Sequence, residues 1–596
     1  MVAIIPPGRT GLSSGRWAGA FAVGLLLGGG WQPAALVGQS PAERVEGLVR
    51  AADIAWREGR FAEARTGYQG AVGIDSVGSS HAVYRLAVLL SWDGVLARAI
   101  PLFQRYIRLE PRDEEGRIAL ARAYAWNGQT VSSVAVYDSI LARDRAYRDA
   151  VLGAALALGW AGRFAESVAR YDQWLVTNPK DVEAELARAR ALAWWGKLAE
   201  SERTYAAIAE RGEGLEGHKG VALVAAWRGD LGRSEDIWRR VTRQAPNDAE
   251  GWVGLAQVLR WSNRPDDARD ALNTALAANP KNQDAAQQLR WVRADLAPAF
   301  EPGGLVAWDS DENRSVLASA AVSVRPFRRG RLTIGGSRRD ADLGLATGSS
   351  TSGRAALRLH VGRALTLVGD GGVVHTAGRL DAVSRDRTVA TGGVAATIQL
   401  GPRVSLGGNV HKSVFDENAA LIRSGIDVRS LGAEGSFRLA SRLTLAGGAE
   451  RASLRGGSAP NERRSGFAAL RWRARRTVTW SLGGRAFGYD RNPRDGYFAP
   501  SRYQLGEVAG RWAPGRDLGW GAVVEGALGA QRVTFTEAPA TTGTQRVSLG
   551  VVYRPSPGSE VGADYTFSNV SATAAGPIGG SIYRSQSLNL RVRLVW

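Results

Sequence analysis

The last fourteen residues, Tyr583 to Trp596, alternate strictly from Ser587 onward. Leu588, Leu590, Val592, Leu594 and Trp596 fall on one face, and Ser587, Asn589, Arg591 and Arg593 on the other. Successive side chains of a strand point to opposite faces, so one side of this segment is oily and the other wet. A soluble sheet can carry the same pattern. Here about three hundred preceding residues repeat it, and the chain stops on an aromatic residue. A transmembrane strand takes roughly 9–11 residues of this kind, and strands in lipid must close on themselves to leave no unpaired edge. The expected C-terminal fold is a transmembrane antiparallel β-barrel whose closing strand is this segment.

Composition narrows the rest. The 596 residues suffice for several domains. With no Cys there are no disulfides, no thiolate chemistry, no Cys-ligated metal and no cysteine lipid anchor. A formal charge of +19 raises nucleic acid as a partner. From Phe300 onward, however, 39 Lys and Arg stand against 23 Asp and Glu, so +16 of the +19 lies in the strand-rich half, with Lys412 its one lysine. Arginine codon preference accounts for this as readily as a basic barrel lumen does, and no nucleic-acid partner is expected.

Residues 1–39 read as a secretory signal. Arg9 and Arg16 precede the apolar run Trp17 to Gly30, which is too short to span a membrane as a helix, and small residues follow near Ala34–Gly38. From 46 to 295 the periodicity becomes helical and repeats. Trp92, Trp126, Trp160, Trp194, Trp227 and Trp261 are spaced by 34, 34, 34, 33 and 34 residues. Gly94, Gly128, Gly162, Gly196 and Gly229 stand two residues after the first five, with Asn263 after the last. A period of 34 is that of the tetratricopeptide (TPR) repeat, a helix–turn–helix unit that buries its core only against its neighbours. In the copy from Arg148 to Asp181, Gly162 ends the first helix and Phe164, Ser167 and Tyr171 face inward on the second. The segment Trp56 to Tyr68 supplies an earlier copy, giving about seven repeats with a capping helix over 283–295. The six tryptophans read either as a ligand-stacking ladder or as inter-helix core.

Pro298 to Gly304 is rich in Pro and Gly, so 296–303 is expected as a linker and 304–596 as the barrel. Sixteen period-2 segments follow. Tight turns at Phe327-Arg328, Gly401, Arg475, Gly515 and Pro555–Gly558 alternate with expected long loops at 341–352, 377–387, 415–426, 491–501, 534–543 and 571–582. Short turns on one side and long loops on the other are the habit of outer-membrane barrels. A soluble sandwich would need a second apolar layer over sixteen oily faces, and none is present. Trp480, Tyr489, Trp512, Trp520, Tyr553, Tyr565 and Phe567 are expected in interfacial girdles. An arginine facing lipid at the midplane costs roughly 2–4 kcal/mol, so the strand arginines must face the lumen. By parity the lumen-lining set includes Arg358, His360, Glu434, Arg438, Arg471, Arg473, Arg485, Arg554, Arg591 and Arg593. About sixteen strands enclose a water-filled space. Two readings of the arginines stand side by side: rings that favour an anionic polymer, or partners for Glu434, Glu450, Glu507, Glu525 and Asp564 on neighbouring strands.

Catalytic patterns are weak. The five histidines are scattered, no nucleophile elbow or phosphate loop stands out, and the carboxylate pairs Asp309/Asp311 and Asp416/Glu417 sit where solvated hairpin ends and loops are expected. Neither an enzyme activity nor a cofactor or metal is expected.

The architecture as a whole resembles the outer-membrane exopolysaccharide exporters: the cellulose synthase operon protein C family, the poly-N-acetylglucosamine porin and the YaiO-type barrels. Leu192 to Lys197 is similar to the Trp-bearing helix ends of their arrays. Gly496 to Tyr503 is similar to a Gly-Tyr-Tyr-x-Pro-x-x-Tyr segment of the cellulose-type barrels, and Asp309 to Asn313 to the Asp-Ser-Asp-x-Asn first hairpin of related sequences. Seven repeats is fewer than the cellulose-type exporters carry, so cellulose itself is not implied. The resemblance implies an outer-membrane channel for a secreted polysaccharide, anionic if the arginines line an open path. It further implies a periplasmic repeat domain recruiting synthase-complex or modifying proteins, with outer-membrane lipid and the barrel-assembly machinery as further partners. The alternative is a filled barrel that anchors a protein-interaction scaffold or serves as a surface receptor.

Overall fold

A computed structural model describes residues 40–74, 79–212, 214–344, 346–380, 383–475, 477–493, 495–515, 517–535, 539–571 and 583–596. The signal segment expected over 1–39 lies outside them. The chain divides into two compact units, one up to Trp227 and one from Arg228 to Trp596.

Among the described residues the first unit holds eleven helices: α1 (Pro41–Arg57), α2 (Phe61–Ile74), α3 (Ser80–Trp92), α4 (Leu96–Leu109), α5 (Glu114–Trp126), α6 (Thr130–Leu141), α7 (Arg148–Trp160), α8 (Phe164–Thr177), α9 (Val182–Trp195), α10 (Leu198–Glu210) and α11 (Glu216–Trp227). The first begins at Pro41, five residues ahead of the expected boundary at 46. Ser40 accepts from the Glu43 amide and Glu43 accepts from the Ser40 amide, a capping box with Pro at the first helical position. The repeat is then held by a few positions that recur. Gly94, Gly128, Gly162 and Gly196 take positive φ, which lets each chain reverse between its two helices. Ser133, Ser167 and Ser201 are fully buried, and each donates to a carbonyl twelve residues back, on Ala121, Ala155 and Ala189. Small side chains at the helix crossing thus satisfy themselves without a void. Tyr137 and Tyr205 lie flat on Gly153 and Gly220 of the following helix, where a Cβ would stand 2.4 Å and 2.1 Å from the ring.

The second unit opens with α12 (Leu231–Gln244), α13 (Ala249–Trp261), α14 (Pro265–Ala278) and α15 (Gln283–Leu296). Fifteen tandem helices therefore make seven successive pairs and a final single helix. Sixteen strands follow: β1 (Ala299–Asp309), β2 (Asn313–Val324), β3 (Gly330–Leu343), β4 (Ala346–Val361), β5 (Leu365–Leu380), β6 (Val383–Leu400), β7 (Val404–Val414), β8 (Asp427–Ala440), β9 (Leu443–Arg455), β10 (Asn461–Arg475), β11 (Val478–Tyr489), β12 (Arg502–Trp512), β13 (Gly519–Thr534), β14 (Ala540–Ser556), β15 (Ser559–Ser568) and β16 (Ser585–Val595). Each pairs antiparallel with its sequence neighbours, and β16 pairs with β1 to close the barrel. A short helix, α16 (Ala419–Ser424), lies between β7 and β8.

Further boundaries differ from the sequence expectation. The linker expected over 296–303 is instead the end of α15 and the start of β1, because β1 pairs with β2 from Ala299 onward. Pro302, which has no N–H to give, sits where the β1–β16 ladder skips from Phe300 to Gly303. The loops expected at 341–352 and 377–387 are largely strand. β3 and β4 stay paired out to Leu343 and Ala346, and β5 and β6 out to Leu380 and Val383, so two hairpins extend where loops were expected.

The exposed apolar side chains of the strands lie on the outer surface. Val394, Val410, Leu431, Leu482 and Leu528 are exposed on the outer surface, as are Leu588, Leu590 and Leu594. Trp472, Trp480, Trp512, Trp520, Tyr553 and Trp596 lie on the same surface near the rim that receives α15, here the repeat-side rim. Tyr489 does not join a girdle. It shares the inward face with Arg485 and Phe487 and is buried. No described helix is long and apolar enough to cross a membrane. The apolar belt belongs to the strands, which is the architecture of an outer-membrane barrel.

Candidate functional site

The lumen is the one space that every strand contributes to, and its two ends are occupied differently. At the repeat-side rim, α12 to α15 meet the turns of the barrel through charge. Asp266 and Asp267 open α14, where the helix dipole favours carboxylates, and they face the turn 325–329. Arg325 lies 2.5 Å from Asp266, Arg328 lies 2.8 Å from both Asp267 and Asp270, and Arg329 lies 3.1 Å from Asp267. Burial pushes the Asp267 carboxyl up, yet Arg264 and Arg328 hold it below the ordinary carboxylate value. Glu235 of α12 is 1% exposed and gathers Arg264 at 2.9 Å, Arg239 at 2.8 Å and, from the barrel turn after β4, Arg363 at 3.2 Å. Arg331 donates to the carbonyl of Asp295 at the end of α15.

Two of the expected lumen residues take part in this docking. His360 Nε2 lies 2.7 Å from Asn263 Nδ2. Asn263 is the residue that replaces glycine in the last repeat, and it keeps the positive φ of the turn while its side chain reaches the barrel. Arg438 donates to the carbonyl of Arg228 at 3.4 Å.

Toward the far end of the lumen two loops fold inward onto the barrel wall. Helix α16 packs against β3, β4 and β5, with Ala419 and Ile422 buried beside Ala341 and Ala346. Gly348 and Gly378 make the niche, since a Cβ at either would stand within 2.9 Å of Ile422 or Arg423. On the opposite side Tyr497, Phe498 and Ala499 form a core with Leu421, Phe487 and Tyr503, whose last two rings stack at 4.5 Å. Asn418 caps α16 through the Leu421 amide and also donates to the carbonyl of Gly496, so the two loops are one plug. The segment Gly496 to Tyr503, singled out in the sequence as a motif, is half of it.

The carboxylates expected in solvent are drawn into this plug. Asp416 accepts from the buried Ser350 hydroxyl at 2.5 Å. Glu417 faces a cavity of about 300 Å³ walled by Leu305, Asp309, Asn313, Arg339 and Tyr583. Burial, and then the adjacent Asp416, push the Glu417 carboxyl above its ordinary value. Within the lumen a second cavity, of about 400 Å³, is bordered by Asn409, Glu434, Glu450, Arg463, Phe467 and Arg485.

The remaining expected lumen residues sort by partner. Arg554 pairs with Glu560 at 3.1 Å, Arg591 with Asp564 at 2.6 Å and Arg593 with Glu301 at 2.6 Å. Arg485 stacks over the Tyr503 ring at 5.7 Å. Arg358, Arg471, Arg473 and Glu434 face inward by register and have no side-chain hydrogen bond or ion pair among the described residues. Of the carboxylates weighed as partners, Glu450 is met by Arg463 and both Glu507 and Glu525 by Arg546, arginines outside the expected set. Alternation identifies which side chains face inward but not which of them meet across strands, so those partners could not be named from the sequence.

The repeat tryptophans occupy the last turn of each first helix. Trp126, Trp160, Trp194, Trp227 and Trp261 are half-buried, and Trp194 lies against Gly159 of the preceding repeat. Trp92 is 58% exposed and meets Trp56 and Phe61 at 5.3 Å and 5.6 Å. The six do not form a single face-to-face ladder, since among them no ring contact joins one to the next.

The tetratricopeptide repeat family matches residues 228–290. No curated protein matches the chain. Among solved structures the chain is similar to a tetratricopeptide repeat protein from Parabacteroides merdae, at 16% identity and a TM-score of 0.36, covering 42% of this chain and 99% of that one. It is also similar to a bacterial polysaccharide outer membrane secretin, at 10% identity and a TM-score of 0.40, covering 50% and 99%. CdiB from Acinetobacter baumannii follows at 11% identity and a TM-score of 0.35, covering 50% and 60%.

Proposed function

We propose that this protein is an outer-membrane channel for export of a secreted polysaccharide, with its repeat domain in the periplasm recruiting the synthesis or modification machinery. The observation that carries the reading is the set of inward arginines with no ion pair among the described residues, Arg358, Arg471 and Arg473, in a closed sixteen-strand barrel. Charges left unpaired in a lumen this wide are solvated by water, and a hydrated path is what a polymer needs. Guanidinium groups on that path favour carboxylate- or sulfate-bearing sugars. The repeats offer a water-facing solenoid surface for partner proteins. The polymer is pushed by its own synthesis, and no catalytic step is assigned to the barrel.

A second reading is favoured by the plug: α16 and residues 495–499 pack inside the far end, as in a barrel serving only to anchor the repeats. Single-channel conductance of the full chain in a planar bilayer separates the two. The full chain is used because α12 to α15 dock on the barrel and would be lost from residues 299–596 alone. An exporter passes current once the plug is loosened, acidic oligosaccharides block that current, and Arg471→Ala with Arg473→Ala weakens the block. A barrel that inserts yet carries no current with its plug loosened is an anchor, and the channel reading is dropped.

A further inference from the structure

On the outer surface of β7 to β10, a row of cations stands at the edge of the apolar belt. Lys412 is directly opposite Arg429 across β7 and β8, and Arg451 is directly opposite Arg464 across β9 and β10. Arg429 and Arg451 are diagonal neighbours through the β8–β9 register, in which Ser453 pairs with Arg429 and Arg451 with Leu431. Register parity turns all four outward, since their neighbours His411, Ser430, Ala452 and Arg463 face the lumen. Each of the first two lies one outward position beyond an exposed apolar residue, Val410 at 59% and Leu431 at 63%. Two residues of strand rise about 6.7 Å, so these cations stand about that far from the exposed apolar side chains of their strands.

Like charges directly opposite on a strand pair repel each other. Little in the protein offsets this. Glu462 accepts from Nε and Nη2 of Arg451 and lies 4.0 Å from Arg464. Asp427 is 3.9 Å from Lys412 but is already held by Arg387. Arg429 has no side-chain hydrogen bond or ion pair among the described residues, and the Arg464 side chain is 72% exposed. Three interstrand steps of about 4.8 Å spread the row over roughly 14 Å, room for more than one phosphate.

We propose that this row is a binding site for the phosphate groups of a phosphorylated glycolipid in the adjoining leaflet. It rests on the barrel crossing a bilayer and not on what the lumen conducts, so a barrel that carries no current leaves it standing. Basic side chains at a membrane surface contribute roughly fivefold each to binding of anionic headgroups, and phosphate matches both the ammonium and the guanidinium donors.

The test titrates the full chain in non-ionic detergent with bisphosphorylated lipid A, with the same lipid dephosphorylated, and with inorganic phosphate, reading bound lipid by native mass spectrometry. The bisphosphorylated lipid binds at least about tenfold more tightly than the dephosphorylated one. Replacing Lys412→Gln, Arg429→Gln and Arg464→Gln together weakens it about 100-fold. Arg354→Gln, on the inward face of β4, leaves it unchanged. Equal binding of the two lipids to the unmodified protein overturns the proposal, whatever the variant does. So does wild-type affinity in the triple variant, or inorganic phosphate competing at the concentration at which the lipid binds.

Discussion

The ion pair between Arg325 and Asp266 is the most enclosed contact between the barrel turn 325–329 and α14. The two side chains are 11% and 12% exposed and meet at 2.5 Å, and Arg325 Nε is buried with no other partner. Asp266→Asn removes the charge and keeps the shape, leaving Arg325 without its counterion in a nearly closed site. Breaking a buried pair from one side costs about 3–5 kcal/mol, most of it the penalty on the stranded charge. The site is about a tenth open, and Arg328 and Arg329 still hold Asp267 and Asp270. The low end, about 3 kcal/mol, is therefore expected, which is roughly a 100-fold shift in the docking equilibrium. Amide hydrogen exchange in the full chain reads this directly, because local opening of α14 and α15 is measured apart from the strands. Protection in α14 should fall about 100-fold while the barrel is unchanged. Arg325→Gln in the Asp266→Asn background should cost less than the first substitution did, since the stranded charge is then gone. If protection in α14 stays within about threefold of the wild type, or the two substitutions add independently, the docking does not rest on this pair.

Three further outcomes follow from the same contacts. Asp267 and Asp270 have their carboxyls held below the ordinary value of 3.8, against burial, by Arg264 and Arg328 and by Arg328 and Arg269 respectively. Docking is then fully stabilised above that value and weakens as pH falls through their lower folded values, which α14 exchange measured at descending acidic pH would register; a flat profile rules the carboxylates out. In the repeats, Gly220→Ala drives a Cβ to within 2.1 Å of Tyr205. Overpacking there should cost about 1–3 kcal/mol, read as a lowered far-UV melting temperature, and an unchanged melt means that the tyrosine repacks freely. In the plug, Gly496→Val combines a positive φ of 90° with a Cβ 2.5 Å from Ala420, so the two loops should separate and single-channel current should rise; wild-type current would show that this contact is not what closes the mouth.

Much of the fold was legible because its signals are local and repeated. The tryptophans at a period of 34 and the glycines two residues later mark helix ends, and inward alternation marks strands, so helix pairs, strand number and sidedness could all be read. Length was misread where polarity changed without a change of structure. Thr347, Ser349 and Thr351 look like loop residues, yet β4 runs through them because the hairpin partner β3 satisfies their backbone. Tyr489 is aromatic, which points to an interface, but its odd position on β11 puts it inside. The plug left almost no trace. Its helix is six residues long, and what admits it is the absence of side chains at Gly348 and Gly378, far away in sequence. The docking charges were visible one by one, as Asp266, Asp267 and Asp270 and as the Arg-Pro-Phe-Arg-Arg turn, but nothing local pairs an acidic helix start with one basic turn among several.

The two ends of the lumen are held by different physics. At the far mouth the plug is held by apolar and aromatic packing, with Leu421 and Tyr503 fully buried and hydrogen bonds from Asn418 tying the halves together. Such a core is stable on its own and is not loosened by ionic conditions. The repeat-side rim is held by carboxylates and guanidinium groups, several half-exposed, whose strength depends on screening and on competing anions. A polymer bearing carboxylates that entered from this side would meet the same arginines that grip α14. It would compete with Asp267 and Asp270 for Arg328 before reaching Arg471 and Arg473.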